Sequence, residues 1–438
     1  MTRSSNAATS AVETRANAER LEAAGRRRGE RAKNAISQNI ERFTTALERQ
    51  SHDPHSLYER VRDRDELLSA ESRATIRGIS TATGISVDKL LAYNLYRERV
   101  FGRGCTAAIA TGDAIGPDGT LFFKHSDAGI SDAFEGPAYH QNQEINVVRV
   151  EDEPDSNASI LIAGAGVTGM KMGVNEHGLA IGSTFSRTTT YTADDQSEDD
   201  IEVSQGSRRS EYMREALLEC DSAREATAYL ASRLVTEPMD TPGNILIADP
   251  TEAIVLEGEY DHIASEATRN GLLARGNTFE LLDELAVSRE EYASTHARYD
   301  RIVERLHEEY GSIDIDTLQR VSVDHENGPG GRSICVHPDE TDTTTGVDHT
   351  DDDNSATCSS VLWHLDPSEP AESRLYIALG TPCTAWRTEA REGWICLSPT
   401  DGIDDVPESF LNGEAWLEHY RPDGPIDADV ALTSLEEH

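Results

Sequence analysis

Residues 102–127 read GRGCTAAIATGDAIGPDGTLFFKHSD. Two β-forming runs, CTAAIAT and TLFFKHS, flank the turn signal Gly116-Pro117-Asp118-Gly119, so the stretch reads as a β-hairpin. Cys105 opens the first strand, and the residues alone leave two readings of it open. Free cysteine packs like a small hydrophobe, and a thiol at a strand start can be nothing more. Gly104 before it, however, leaves its carbonyl uncrowded. If the Gly104–Cys105 bond broke, Cys105 would carry a free α-amino group with a pKa of about 7.7–8.0. Such an amine can act as the thiol's own general base.

Outward from the hairpin, the chain changes character. Residues 11–100 read as helical, with regular Leu, Ala and Ile positions interleaved with charge and Pro54 as the one proline. After the hairpin, EINVVRV, ASILIAG, GMKMGV, GLAIGSTF, NILIAD, AIVLEG, CSSVLWHL and RLYIALG read as short strands joined by turns. Helices are expected at residues 208–231 and 287–309, the second from the spacing of Tyr292, Tyr299, Ile302, Val303 and Leu306. Residues 194–202 and 339–354 are acidic and low in complexity, and read as solvated insertions without chemistry. Many hairpins with a few long helices describe an α+β protein in which helices cover antiparallel sheets.

The chain has 438 residues, 37% of them hydrophobic, enough for a substantial core. Acidic residues outnumber basic ones 80 to 40, for a net charge of -40. The lysines are only Lys33, Lys89, Lys124 and Lys171. So acidic a surface repels nucleic acid and anionic lipid, and neither is an expected partner. The same composition suits a cytosol of molar salt, where screening shortens to about 3 Å, so a halophilic, archaeal source is expected. The apolar runs are short of the ~20 residues of a membrane span. The Arg26-Arg27-Arg28 cluster leads into polar sequence, so a cytoplasmic location is expected. Six scattered cysteines make no disulfide framework. Cys335-Val-His337 could begin a metal site, but no second pair stands at finger spacing, so neither metal nor cofactor is expected.

Gly164-Ala-Gly166-Val-Thr-Gly169 matches a dinucleotide fingerprint but leads into strand and turn rather than helix, and is rejected. No nucleophile elbow, P-loop or H-E-x-x-H occurs.

Several segments, taken in order, carry a more specific signal. They are Gly104-Cys105-Thr106, the hairpin ending in Asp127, Gly173-Val-Asn175-Glu-His-Gly178-Leu-Ala and Asn277-Thr-Phe279. They continue with Ser294-Thr-His-Ala-Arg298-Tyr, Asp324-His325, Ser333-Ile-Cys335-Val-His337-Pro-Asp339 and Ala378-Leu-Gly380-Thr-Pro382-Cys383. Together they make the chain resemble the acyl-coenzyme A:6-aminopenicillanic acid acyltransferase family. That family is the autoproteolytic cysteine group of the N-terminal nucleophile hydrolases, with bile-salt hydrolases as distant relatives. The resemblance implies a four-layer αββα sandwich, with residues 1–104 as a helical pro-segment and 105–438 as the catalytic domain. It also implies self-cleavage between Gly104 and Cys105, with Cys105 as nucleophile. Asp127 would hold and orient the new α-amino group, Arg298 would lie beside the nucleophile and stabilise a thiolate, and Asn277 would donate its side-chain N–H to the oxyanion.

Without the resemblance, Asp127 can cap the turn at Gly129, Arg298 can be a solvated helix residue beside Arg301, and Asn277 can be a turn residue after Gly276. Asn175 reads as a turn residue, and Cys335 and Cys383 as structural. The family pattern is also departed from. His125, Ser126 and Ala128 stand around Asp127 where an asparagine and aromatics are usual, and Thr278 interrupts N-H-F. Ser183, Thr184 and Phe185 stand where bile-salt hydrolases carry a second oxyanion asparagine.

The expected function is a self-processing amide hydrolase or acyltransferase working through a thioester on Cys105. Its substrate would be a small acyl amide or thioester, acyl-coenzyme A included, and a homo-oligomer is left open. The rivals are a non-catalytic binding protein on the same fold and an uncut thiol hydrolase using His125 as base.

Overall fold

Strands β1 (Gly102–Thr111) and β2 (Thr120–Gly129) pair antiparallel, with Gly104 opposite Asp127 and Cys105 opposite Ser126. Strand alternation then sorts their side chains onto two faces. Ala107, Ile109 and Phe122 enter one apolar cluster, while Ala108, Ala110, Leu121 and Phe123 enter another. This is the hairpin expected from residues 102–127. The computed structural model describes residues 3–62, 64, 67–129, 143–153, 155–190, 206–236, 239–260, 262–328, 330–337, 355–387, 392–421, 432 and 434–435. The acidic segments 194–202 and 339–354 lie outside the described residues.

The hairpin sits inside a six-stranded antiparallel sheet of order β10-β1-β2-β11-β12-β13. Its other strands are β10 (Gly271–Arg275), β11 (Ser355–Leu365), β12 (Arg374–Leu379) and β13 (Trp394–Leu397). The second sheet runs in sequence order as an antiparallel meander: β3 (Asn146–Glu151), β4 (Ser159–Gly164), β5 (Met172–Asn175), β6 (Ala180–Phe185), β7 (Met239–Asp249), β8 (Glu252–Tyr260) and β9 (His262–Thr268). The two sheets pack face to face. A Cβ added at Gly182 of β6 would meet Phe122 and Lys124 of β2, at 3.4 and 3.5 Å. At Gly173 of β5, on the opposite face, it would meet Leu217, which comes from a helix.

Helices α6 (Arg209–Glu219) and α7 (Ala223–Thr236) cover the outer face of the seven-stranded sheet. Helices α8 (Ala293–Glu308), α9 (Ile315–Ser322) and α10 (Pro382–Ala385) cover the outer face of the six-stranded one. The order is helix, sheet, sheet, helix, the αββα sandwich expected. The single helix expected over 208–231 is two, broken at Cys220–Ser222, and the one expected from 287 starts at Ala293. The fingerprint-like Gly164–Gly169 stretch joins β4 to β5 directly, with no helix after it, as its rejection required.

Five helices precede the sheets: α1 (Arg3–Arg31), α2 (Lys33–Arg49), α3 (Pro54–Arg62), α4 (Ala70–Thr83) and α5 (Val87–Phe101). Ser69 caps α4 by accepting the Ser72 N–H. Helices α1 and α4 touch backbone to backbone: a Cβ at Gly25 would stand 2.1 Å from the Thr75 carbonyl oxygen, and one at Gly78 2.0 Å from that of Glu22. Ile36, Phe43 and Tyr93 of this lead segment share one apolar cluster with Ile160, Ile181 and Leu246 of the seven-stranded sheet. Helix α5 passes into β1 without a linker, so the lead segment delivers Cys105 to the sheet. No helix among the described residues is long and apolar enough to cross a membrane.

Candidate active site

Cys105 lies near the start of β1 on the face turned toward the second sheet, where alternation puts it with Ala107 and Ile109. It is half-buried and opens onto a cavity of about 70 Å3 that is open to solvent on one side. The lead segment supplies Arg97, Glu98, Phe101 and Gly104 to the cavity wall; β2 supplies Lys124, Ser126 and Asp127. Opposite them stand Ser183 and Phe185 of β6, with Glu144, Met170, Lys171 and Arg209 completing the wall.

Asp127 faces the Gly104–Cys105 junction, as the strand register requires. Its Oδ1 accepts the Thr357 hydroxyl at 2.6 Å. Its Oδ2 is buried without a hydrogen-bond partner and would stand 3.1 Å from a Cβ at Gly104. Only glycine fits opposite this carboxyl without a shift. Burial pushes the Asp127 carboxyl above the usual carboxylate range, opposed by Arg298, the Thr357 hydroxyl and Lys124.

Asn277 follows β10 and is fully enclosed. Its Oδ1 accepts the backbone N–H of Cys105 at 3.0 Å and the Arg298 guanidinium at 2.6 Å, while its Nδ2 donates to the Phe185 carbonyl at 2.8 Å. The N–H expected to serve an oxyanion is therefore engaged by Phe185 in the uncut chain, and Asn277 acts instead on the nitrogen of the Gly104–Cys105 peptide. Arg298, on the first turns of α8, is buried rather than solvated. Its guanidinium also donates to Thr106 Oγ1 at 3.2 Å and to the Gly331 carbonyl. It reaches the residues flanking Cys105 and does not line the cavity. The structure thus brings Gly104, Cys105, Asp127 and Asn277 together, with Arg298 one layer behind.

His125 goes the other way. It points to the outer face of β2, where its ring meets Phe123 at 4.6 Å and Nδ1 lies 3.0 Å from the Ile334 carbonyl. Burial pushes its pKa down to about 3, and it is not part of the cavity wall. Asn175 is the turn residue expected: its Oδ1 accepts from His177 and Leu179, and its Nδ2 donates to Leu217 and Cys220. Of the residues standing at the expected second oxyanion position, Thr184 bonds Asn244 Nδ2 at 2.9 Å, and Ser183 is the hydroxyl that lines the cavity.

Sequence reasoning missed Lys124. It is buried beside Cys105 and donates to the Ser126 hydroxyl; burial pushes its ammonium below the usual lysine range, against the pull of Cys105. Its signal was present, because Lys124 and Ser126 are two apart on one strand and so share the face of Cys105. Thr357 gave no such signal, since it reaches Asp127 from a strand 230 residues further on. Apart from Lys124 and Asp127, the charged side chains of the cavity wall are paired. Arg97 and Lys171 bond Glu144 at 3.1 and 2.9 Å, and Arg209 bonds Glu98 at 2.9 Å.

No family profile matches the chain, and no curated protein matches it. Among solved structures it is similar to a Caenorhabditis elegans ortholog of N-acylethanolamine-hydrolyzing acid amidase, with TM-score 0.35 and 13% identity over 59% of this chain and 92% of that one. It is also similar to two variants of conjugated bile acid hydrolase from Clostridium perfringens, both at TM-score 0.36. Their identities are 10% and 11%, over 71% and 70% of this chain and 94% of each of theirs. Likeness at this level bears on none of the residues above.

Proposed function

We propose that the chain cuts itself between Gly104 and Cys105 and then works as an amide hydrolase or acyltransferase through the Cys105 thiol. The carrying observation is the treatment of that one peptide bond. Asn277 holds its N–H, the unpartnered Asp127 Oδ2 lies against Gly104, and the thiol beside it opens on a cavity.

In processing, the thiol attacks the Gly104 carbonyl carbon and gives its proton to Asp127. The C–N bond breaks as Asp127 passes that proton to the nitrogen, and a thioester joins Gly104 to the sulfur. Water hydrolyses it, leaving a carboxylate on Gly104 and returning the thiol. The new α-amino group then sits between Asn277 Oδ1 and Asp127 Oδ2. In turnover the same thiol attacks a substrate carbonyl, the α-amine carries the proton to the leaving group, and water or an amine takes the acyl group. Among the described residues of the cavity wall, Lys124 is the cation without a carboxylate partner, which favours an amide or thioester that carries an anionic group near the scissile bond.

Intact mass of freshly purified protein tests this directly. Two pieces, one ending at Gly104 and one starting with Cys105, are expected, with Cys105→Ala remaining whole and inactive on an amide and thioester panel. An active Cys105→Ala protein would refute the mechanism. A single uncut species whose Cys105 resists alkylation would favour the binding-protein reading. An uncut species with a reactive Cys105 would favour a thiol hydrolase, for which His125, on the far face of β2, is badly placed.

A further inference from the structure

On the His125 side of β2, away from the cavity, four side chains unused by this mechanism converge. They are His325, after α9; Cys335 and His337, in the segment 330–337; and Cys383, in α10. One potential ligand atom from each lies within 4.8 Å of all the others. Cys335, His337 and Cys383 are buried, and His325 is partly so.

The distances have metal-site proportions. His337 Nε2 is 3.3 Å from Cys383 Sγ and 3.6 Å from Cys335 Sγ. Around a tetrahedral zinc ion, with Zn–S of about 2.3 Å and Zn–N of about 2.0 Å, a sulfur–nitrogen edge measures about 3.5 Å. The His325 and His337 rings stand 5.0 Å apart and inclined by 53°, so they are not stacked on each other. The His325 ring nitrogens are enclosed with no oxygen or nitrogen partner, and the ring turns toward the Cys383 thiol. A buried polar atom left in that state calls for an occupant.

We propose that His325, Cys335, His337 and Cys383 form a structural zinc site. Two thiolates and two neutral imidazoles would give the ion four protein ligands and a net charge of zero, which a buried position tolerates. Full coordination leaves no open position for water or substrate, so the site is not catalytic. Its place in the fold says what it does. The segment it pins supplies the Gly331 carbonyl to Arg298, and its Val336 exchanges two hydrogen bonds with Thr357, the residue that holds Asp127. The ion fastens the outer support of the candidate active site to α9 and α10. No second pair stands at finger spacing from Cys335-Val-His337; the partners come instead from His325 and Cys383, which no local spacing rule connects. The proposal does not depend on self-cleavage or on any activity.

The test is metal binding by the full chain, reduced and stripped with a chelator. Titration with cobalt(II) should saturate at one equivalent, with sulfur-to-cobalt charge-transfer absorption and the strong visible bands of a tetrahedral centre, and one equivalent of zinc should abolish them. The Cys335→Ser/Cys383→Ser protein should lose that equivalent, and His325→Ala should bind at least about 10-fold more weakly. Because loss of ligands can itself unfold the chain, the spectrum of the unaltered protein carries the decision. A reduced chain that gives no thiolate–cobalt spectrum overturns the site, and a Cys335–Cys383 disulfide in the isolated protein would then explain the pair. Retention of the bound equivalent in the double serine variant overturns it as well.

Discussion

Burial holds the Asp127 carboxyl above the usual carboxylate range even with Arg298, Thr357 and Lys124 close by. The folded chain therefore keeps this proton at a pH where the unfolded chain has lost it. The stability this confers is whole below the ordinary carboxylate pKa and drains away as pH rises through the folded value. Asp127→Asn keeps an oxygen for the Thr357 hydroxyl and cannot ionise. It should be at least as stable as the parent at pH 7, with a smaller margin at pH 4, while processing and turnover fall by about 10²–10⁴-fold. Melting curves at the two pH values, set beside intact mass, check both halves; a variant that still processes removes Asp127 from the mechanism. At this scale the hairpin made much of the site readable. The turn at Gly116–Gly119 fixes the register, and register alone puts Asp127 opposite Gly104. Asn277 and Arg298 were reached only through a resemblance between short motifs, and their contacts lay beyond it. Of the proposed zinc ligands, Cys335 and His337 stood out as a pair, but 46 residues separate His337 from Cys383 and nothing local brings them together.

The lead helices are bound to the sheets by more than apolar contact. Asn39 donates to the carbonyls of Ile145 and Ala165 and accepts the Ile145 N–H; Asn94 donates to the Gly166 carbonyl and accepts the Thr168 N–H. Buried ion pairs join Arg97 to Glu144 and Glu98 to Arg209. After a cut at Gly104 the lead piece should therefore stay in place. Gel filtration should show one species that denaturing electrophoresis resolves into two bands, and separation without denaturant would contradict the packing. Removing one partner of such a buried pair costs about 3–5 kcal/mol, so Arg97→Ala should loosen the two pieces measurably. Sequence patterns found most of these elements where alternation or helical spacing was strong. They missed β9, an edge strand whose HIASEAT run is half solvent-facing and shows no apolar stripe, and the short strands β10 and β13. They fused α6 and α7 because the break at Cys220–Ser222 contains neither glycine nor proline.

A net charge of -40 works against the whole compact molecule, since folding draws like charges together. We propose that it is suited to concentrated salt. Moving from 0.1 M to several molar potassium chloride cuts the screening length from about 10 Å to below 3 Å and should raise the unfolding temperature by on the order of 10 °C. A flat salt response, measured by calorimetry, would mean that the acidic surface has some other purpose. The lead segment bears on the molecule at this scale too. It forms part of the common core and lines the cavity with Arg97, Glu98 and Phe101, so it is no disposable leader. If the cut occurs, the mature protein is a heterodimer whose subunits are always born together, in equal number and already docked. Neither can accumulate without the other, and no encounter in solution is needed to assemble them. A gene split at codon 105 would forfeit all three guarantees, even if every contact in the finished protein were preserved.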